Sequence, residues 1–107
     1  MSPLKKLERN GVHLKYEDVV RICQKYSICE LSVFGSALRE DFNDGSDIDI
    51  LITYADVWSN DPFDFMYIEE EFKQLLDREI DIVDKDAIRN PIRREDILAT
   101  MEVIYAN

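Results

Sequence analysis

Histidine and cysteine are close to absent: the 107 residues include one His and two Cys. His13 alone cannot build a zinc cluster. Cys23 and Cys29 are spaced C-x5-C and lack the C-x-x-C spacing of zinc or redox sites. Both sit beside apolar residues, the setting of buried free thiols in a reducing cytoplasm. Glycine and proline are scarce, three of each, which argues against a loop-rich scaffold. No apolar run approaches the ~18 residues that a membrane span requires. Met1-Ser2-Pro3-Leu4-Lys5-Lys6 has no apolar stretch behind its charges, so no secretion signal is expected and the chain reads as cytoplasmic. Basic residues are outnumbered, 13 against 23 acidic, for a formal net charge of -10. Non-specific nucleic-acid binding needs Lys and Arg to neutralise phosphates, so direct DNA or RNA binding is not expected. A phosphate compound handled by this chain would need metal cations, and the acidic surface suits a protein partner of opposite charge.

What is present is enough for one core. Hydrophobic residues make up 46% of the chain and charged ones 34%, a soluble globular balance. The length predicts a single domain over residues 1–107. Asn10-Gly11 reads as a turn. Tyr16, Val19, Val20, Cys23 and Tyr26 recur at spacings of three and four, which predicts an amphipathic helix over roughly 15–26. Cys29 to Phe34 is short, β-branched and aromatic, a strand closed sharply by Gly35. Residues 36–46 are polar, with a turn at Asn43-Asp44-Gly45 and room for one helical turn near 36–40.

Asp47 to Tyr54, D-I-D-I-L-I-T-Y, is the strongest strand. Alternation puts Ile48, Ile50 and Ile52 on one face and Asp47, Asp49 and Leu51 on the other. Asp61-Pro62 reads as a helix start, Asp as N-cap and Pro at the first position, with Phe65, Ile68, Phe72, Leu75 and Leu76 following to about Asp77. Glu79 to Asp84, E-I-D-I-V-D, is a third strand. Asp86 to Asn90 predicts a short helix stopped by Pro91, and Arg94 to Val103 a last helix with Ile97, Leu98 and Met101 inward. The alternation of helices and strands predicts an α/β fold: a small mixed sheet flanked by helices.

Two aspartates on one face of a strand whose opposite face is all isoleucine call for an explanation. Asp47 and Asp49 project to the same side about 7 Å apart along the strand, and Asp81 does so from another strand. On neighbouring strands about 4.8 Å apart, the three would crowd one pocket. Each close pair then repels by about 4 kcal/mol at 4 Å and an effective dielectric of 20. Such a cluster protonates or binds hard cations, and an all-oxygen donor set favours Mg²⁺, the setting of two-metal phosphoryl transfer. Gly35-Ser36 lies just upstream. Glycine lets backbone N–H groups approach an anion, and the Ser36 hydroxyl opens a helical turn. The pattern is G-S-x10-D-x-D followed by a third Asp.

F-G-S-A-L-R-E-D-F-N-D-G-S-D-I-D-I-L-I resembles the signature of the DNA polymerase β-like nucleotidyltransferases, and most of all their shortest members, the minimal nucleotidyltransferases (MNT). The likeness extends to E-I-D-I-V-D and to the closing P-I-R-R-E-D-I-L-A-T-M-E-V-I-Y-A. It implies the nucleotidyltransferase fold. Asp47 and Asp49 match the paired metal-binding carboxylates. Asp81 matches the third, which would also ligate metal and would position or activate the attacking hydroxyl. Gly35 and Ser36 match the phosphate-holding pair, and Arg39 a frequent basic position that could touch a phosphate. The chain departs from the family's G-S-R-A-R-G run at Ala37 and Glu40.

The resemblance further implies two Mg²⁺ ions, ATP as substrate, and a HEPN-domain RNase toxin as partner. The MNT antitoxin would silence that toxin by transferring AMP to a tyrosine hydroxyl. Two alternatives stand beside it: an antitoxin that acts by binding alone, and a small-molecule transferase of the aminoglycoside-modifying kind. Glu69-Glu70-Glu71 reads as a solvated helix face. Trp58 with Tyr54 is either a partner contact or a cover for the sheet edge, and Arg93 and Arg94 carry no assigned role.

Overall fold

The computed structural model describes residues 1–56 and 61–107. Trp58 therefore lies outside the described residues. The chain runs α1 (Pro3–Arg9), α2 (Tyr16–Lys25), β1 (Ile28–Phe34), a 3₁₀ turn (Gly35–Leu38) and β2 (Ile48–Tyr54). It continues with α3 (Asp64–Leu76), β3 (Ile80–Asp84), a 3₁₀ turn (Lys85–Ala87), α4 (Pro91–Thr100) and β4 (Glu102–Ala106). The strands form one mixed sheet in the order β3-β2-β1-β4. β1 runs antiparallel to β2 and β4, while β2 and β3 are parallel. A parallel pair needs a crossover, and α3 supplies it.

Strand alternation divides the apolar residues between two cores. Leu31, Val33, Ile48, Ile50, Ile52, Ile80 and Ile82 pack on one face against Leu7 of α1, Val19, Ile22 and Cys23 of α2, and Ile68 and Phe72 of α3. The opposite face holds a smaller cluster, Phe34 and Leu51 under Ile97 of α4, with Val83, Ile88, Leu98 and Met101 beside them. Large buried side chains such as Phe72 each stabilise by about 3–5 kcal/mol relative to alanine.

Several boundaries differ from the sequence-based expectation. α1 was not anticipated. Ser2 caps it by accepting from the Lys5 N–H at 3.2 Å, Pro3 takes the first position, and Leu7 is fully buried. Tyr16 is exposed rather than part of the α2 stripe, which ends inward at Tyr26. Asp61 does not cap α3. Its carboxylate accepts from the Phe63 N–H at 2.8 Å in a tight turn, and the helix starts at Asp64. Leu75, expected inward on α3, is also exposed.

Pro91 opens a helix instead of stopping one. Asn90 accepts from the N–H groups of Ile92 and Arg93 at 2.9 and 3.2 Å, so Asn-Pro here is N-cap and first position. Asp86 to Asn90 is correspondingly no helix beyond the turn Lys85–Ala87. The expected helix to Val103 ends at Thr100, and E-V-I-Y-A pairs with β1 as a fourth strand. A β-branched and aromatic run beside an open edge gains more from the ladder than from helix propagation. Cys23 is buried and Cys29 half-buried, both free; burial pushes the Cys23 thiol up to about 12, with a smaller push from Cys29.

Candidate active site

The site forms where β1 ends and β2 and β3 begin. In register, Phe34 of β1 faces Asp49 of β2, and Asp49 faces Asp81 of β3. Just past Phe34 the chain turns at Gly35 with φ of 75°. A Cβ there would lie 2.3 Å from Asp49 Oδ2, so only glycine lets the backbone approach that carboxylate. Asp47 precedes β2 and is exposed, and its backbone carbonyl accepts a long contact from the Ser36 hydroxyl at 3.5 Å. Gly35, Ser36, Asp47, Asp49 and Asp81 are thus neighbours across three adjoining strands.

Electrostatics bind the acids into one unit. Burial, then Asp81, then Asp47, push the half-buried Asp49 carboxyl up to about 6, while Arg39 and Arg93 act in the opposite direction. Two arginines therefore act on Asp49 through space, one following the Gly35 turn and one on α4. Arg39 is exposed and its Nε donates to Asp41 at 3.1 Å. Arg93 sits on the first turn of α4, and among the described residues it makes no ion pair. With Pro91 read as a helix stop, the sequence gives no reason to single out Arg93. Reading Asn90-Pro91 as a helix start places it beside the acids. Arg78 was also missed. Its Nη2 donates to the carbonyls of Asn43 and Ser46 at 2.8 and 2.9 Å, and its guanidinium lies 4.4 Å from the Phe42 ring, pinning the loop that delivers Asp47.

Among the described residues, no three His, Cys, Asp or Glu side chains already converge as a metal-holding cluster. The donor chemistry nonetheless fits a hard cation: three carboxylates, of which Asp81 and Asp47 raise the proton affinity of Asp49, with no His or Cys among them. Glu79, which alternation puts on the Asp81 face, is drawn to Lys73 of α3 at 3.5 Å and stands 77% exposed. Beyond β3, Asp81 also lines a cleft of about 1010 Å³ between the starts of α3 and α4. Tyr54 borders it, its phenol pushed up to about 12 by burial and then by Asp84 and Asp64.

A sheet with a glycine turn beside paired acids at this register is the arrangement that the resemblance to nucleotidyltransferases implied. Residues 17–107 match the family model described as "Polymerase beta, Nucleotidyltransferase", and the chain belongs to that family. A Methanocaldococcus jannaschii protein whose name marks it as an inferred protein adenylyltransferase is 34% identical over 74 residues, 69% of this chain and 74% of its own length. Among solved structures, a toxin–antitoxin complex with AMP-PNP matches with a TM-score of 0.70 at 18% identity, covering 88% of this chain and 75% of that one. A complex of tri-AMPylated Shewanella oneidensis HEPN toxin with MNT antitoxin matches with a TM-score of 0.62 at 16% identity, covering 94% and 73%. At these identities the structural likeness shows the shared fold. The fold expected from G-S-x10-D-x-D is the fold found.

Proposed function

We propose that this chain is a Mg²⁺-dependent protein adenylyltransferase, working in the cytoplasm as a single-domain antitoxin that transfers AMP from ATP to a tyrosine hydroxyl of a HEPN toxin. The observation that carries this reading is the register Phe34–Asp49–Asp81, which sets two carboxylates side by side with the Gly35 turn on the far flank of Asp49. Support comes also from the relative named for protein adenylylation and from the toxin complexes that share the fold.

In this reading Gly35, Ser36 and Arg39 hold the phosphates of ATP. Asp47, Asp49 and Asp81 would hold the divalent ions, which when bound neutralise phosphate charge and polarise the phosphoryl group. Asp81 takes the proton of the acceptor hydroxyl. That oxygen bonds to the α-phosphorus, the bond between the α-phosphorus and the bridging oxygen breaks, and pyrophosphate leaves. Catalysis is positioning and charge compensation.

The test is incubation of the cognate HEPN protein with labelled ATP and Mg²⁺. Wild type is expected to add label and about 329 Da per AMP unit to the toxin. If the double variant Asp47→Asn with Asp49→Asn transfers as much label, the catalytic assignment fails. Neutralisation of the toxin in cells with no mass gain would instead identify an antitoxin that acts by binding alone.

A further inference from the structure

We infer that Asn10, at the end of α1, is a positioning residue for nucleotide binding: its side-chain amide clamps the turn Gly35–Leu38 and fixes the backbone that holds the phosphates. This rests on the reading of Gly35, Ser36 and Arg39 as the phosphate-holding residues. Arg9 and Asn10 precede residue 17, where the match to the family model begins, so that match assigns them no role.

The way α1 ends leaves this side chain free for the task. Gly11 follows Asn10 with φ of 81°, and the Gly11 and Val12 N–H groups donate back to the carbonyls of Glu8 and Leu7, each at 2.9 Å. This is a Schellman closure, made by backbone groups alone. Asn10 therefore uses no side-chain donor on its own helix. Its Nδ2 donates instead to the carbonyls of Ala37 at 2.8 Å and Arg39 at 2.9 Å. Carbonyls only accept, so the amide nitrogen and not its oxygen must face them. Arg9 Nη2 donates to the carbonyl between them, that of Leu38, at 3.2 Å. Three successive carbonyls are thus held by the last residue of α1 and its cap.

Those bonds are transmitted along the turn. A peptide unit is planar, so a held carbonyl fixes the N–H of the next residue as well. The Arg39 N–H donates to the Ser36 carbonyl at 3.0 Å, which fixes in turn the plane that carries the Ala37 N–H. The clamp runs in this way from Asn10 to Ser36, and it sets the backbone from which the Arg39 side chain starts. α1 is a firm support. Leu7 is fully buried in the main core, and Lys6 Nζ lies 2.6 Å from Glu102 of β4. Glu102 pairs with Val33 of β1, so α1 is fastened to the strand from which the turn departs. An anion is bound more tightly by groups that are already ordered before it arrives.

The experiment follows AMP-PNP binding with Mg²⁺ by calorimetry, and separates the KM for ATP from kcat in AMP transfer to the cognate HEPN protein. Asn10→Leu, of similar size but without donors, is expected to raise the AMP-PNP Kd and the KM for ATP about three- to tenfold, the worth of one or two ordinary hydrogen bonds. Asn10→Ala, which lets water reach the freed carbonyls, should do less. For both, kcat at saturating ATP and toxin binding should stay within about twofold of wild type. The backbone closure of α1 is expected to keep both variants folded, and Lys5→Ala, exposed on α1, is the surface control. In wild type the Asn10 side-chain amide signals of a ¹⁵N spectrum should shift on adding AMP-PNP, a readout that needs no variant. The clamp is wrong if Asn10→Leu binds AMP-PNP like wild type, if Lys5→Ala loses as much affinity, or if the amide signals stay put at saturation. It is also wrong if kcat and thermal stability fall together at unchanged KM, which would make Asn10 only the end of a helix. A wild type that binds no AMP-PNP overturns the phosphate-holding turn and the clamp's role with it. A wild type that binds beside an equally tight Asn10→Leu overturns the clamp alone.

Discussion

The two faces of this small sheet are built from the same strands and do opposite work. On the face under α1, α2 and α3, Ile48, Ile50 and Ile52 of β2 are fully buried among apolar neighbours. On the other, Leu51 lies under α4, but Asp49 stays half-buried beside Asp81, its carboxyl pushed up to about 6. One face repays the cost of folding through burial, and the other holds like charges that the fold must tolerate. The lesson is that a period of two lets a single seven-residue strand carry core and chemistry at once.

Removing the charges tests that division most severely. Asp47→Asn with Asp49→Asn is expected to cut AMP transfer by at least about a hundredfold while circular dichroism stays native. Unfolding of this variant would show that the two faces are not separable. On the closed face the expectation reverses. Phe72→Ala should cost about 3–5 kcal/mol in denaturant unfolding, a large share of the stability of any domain this size. Retained transfer under native conditions would keep the faces independent.

Gly35→Ala sits between the two. Its positive φ and the 2.3 Å approach to Asp49 predict about 1–3 kcal/mol of strain together with lost transfer, because the new methyl displaces the carboxylate. A stable and fully active Gly35→Ala would show that the close approach is dispensable. The smallest effect is the electrostatic one. Asp49 has a folded value of about 6 against an ordinary 3.8, so the native state holds this proton more tightly. Its contribution to stability is full below the ordinary value and lost as pH rises through about 6. Asp49→Asn is therefore expected to stabilise the fold at pH 7.5 by on the order of 1 kcal/mol, discounted for partial solvent access, and to make no difference near pH 3.5. Binding of Mg²⁺ to the nucleotide-free protein, followed by calorimetry, should weaken as pH drops through about 6, because protons compete with the cation for Asp49.

Legibility followed the range of the interactions. D-I-D-I-L-I-T-Y and E-I-D-I-V-D were readable as strands because alternation is a local signal, and their register then set Asp49 against Asp81. Helix ends were less readable. Asp61-Pro62 and Asn90-Pro91 carry similar cap chemistry, yet only Asn90 caps a helix. E-V-I-Y-A at the end continues a helical pattern from Arg94, and only an unpaired β1 edge draws it into the sheet.

Residue types and their spacing, by themselves, pointed to the family, to the sharp turn at Gly35 and to Asp47, Asp49 and Asp81 as a group, because these depend on a short chemical pattern along the chain. Tertiary structure alone decided that the charge of Arg93 acts on Asp49, that Arg78 pins the loop before Asp47, and that a cleft opens beside Asp81. Those relations join side chains far apart in sequence, and the charges and volumes involved exist only once the sheet and its helices have packed.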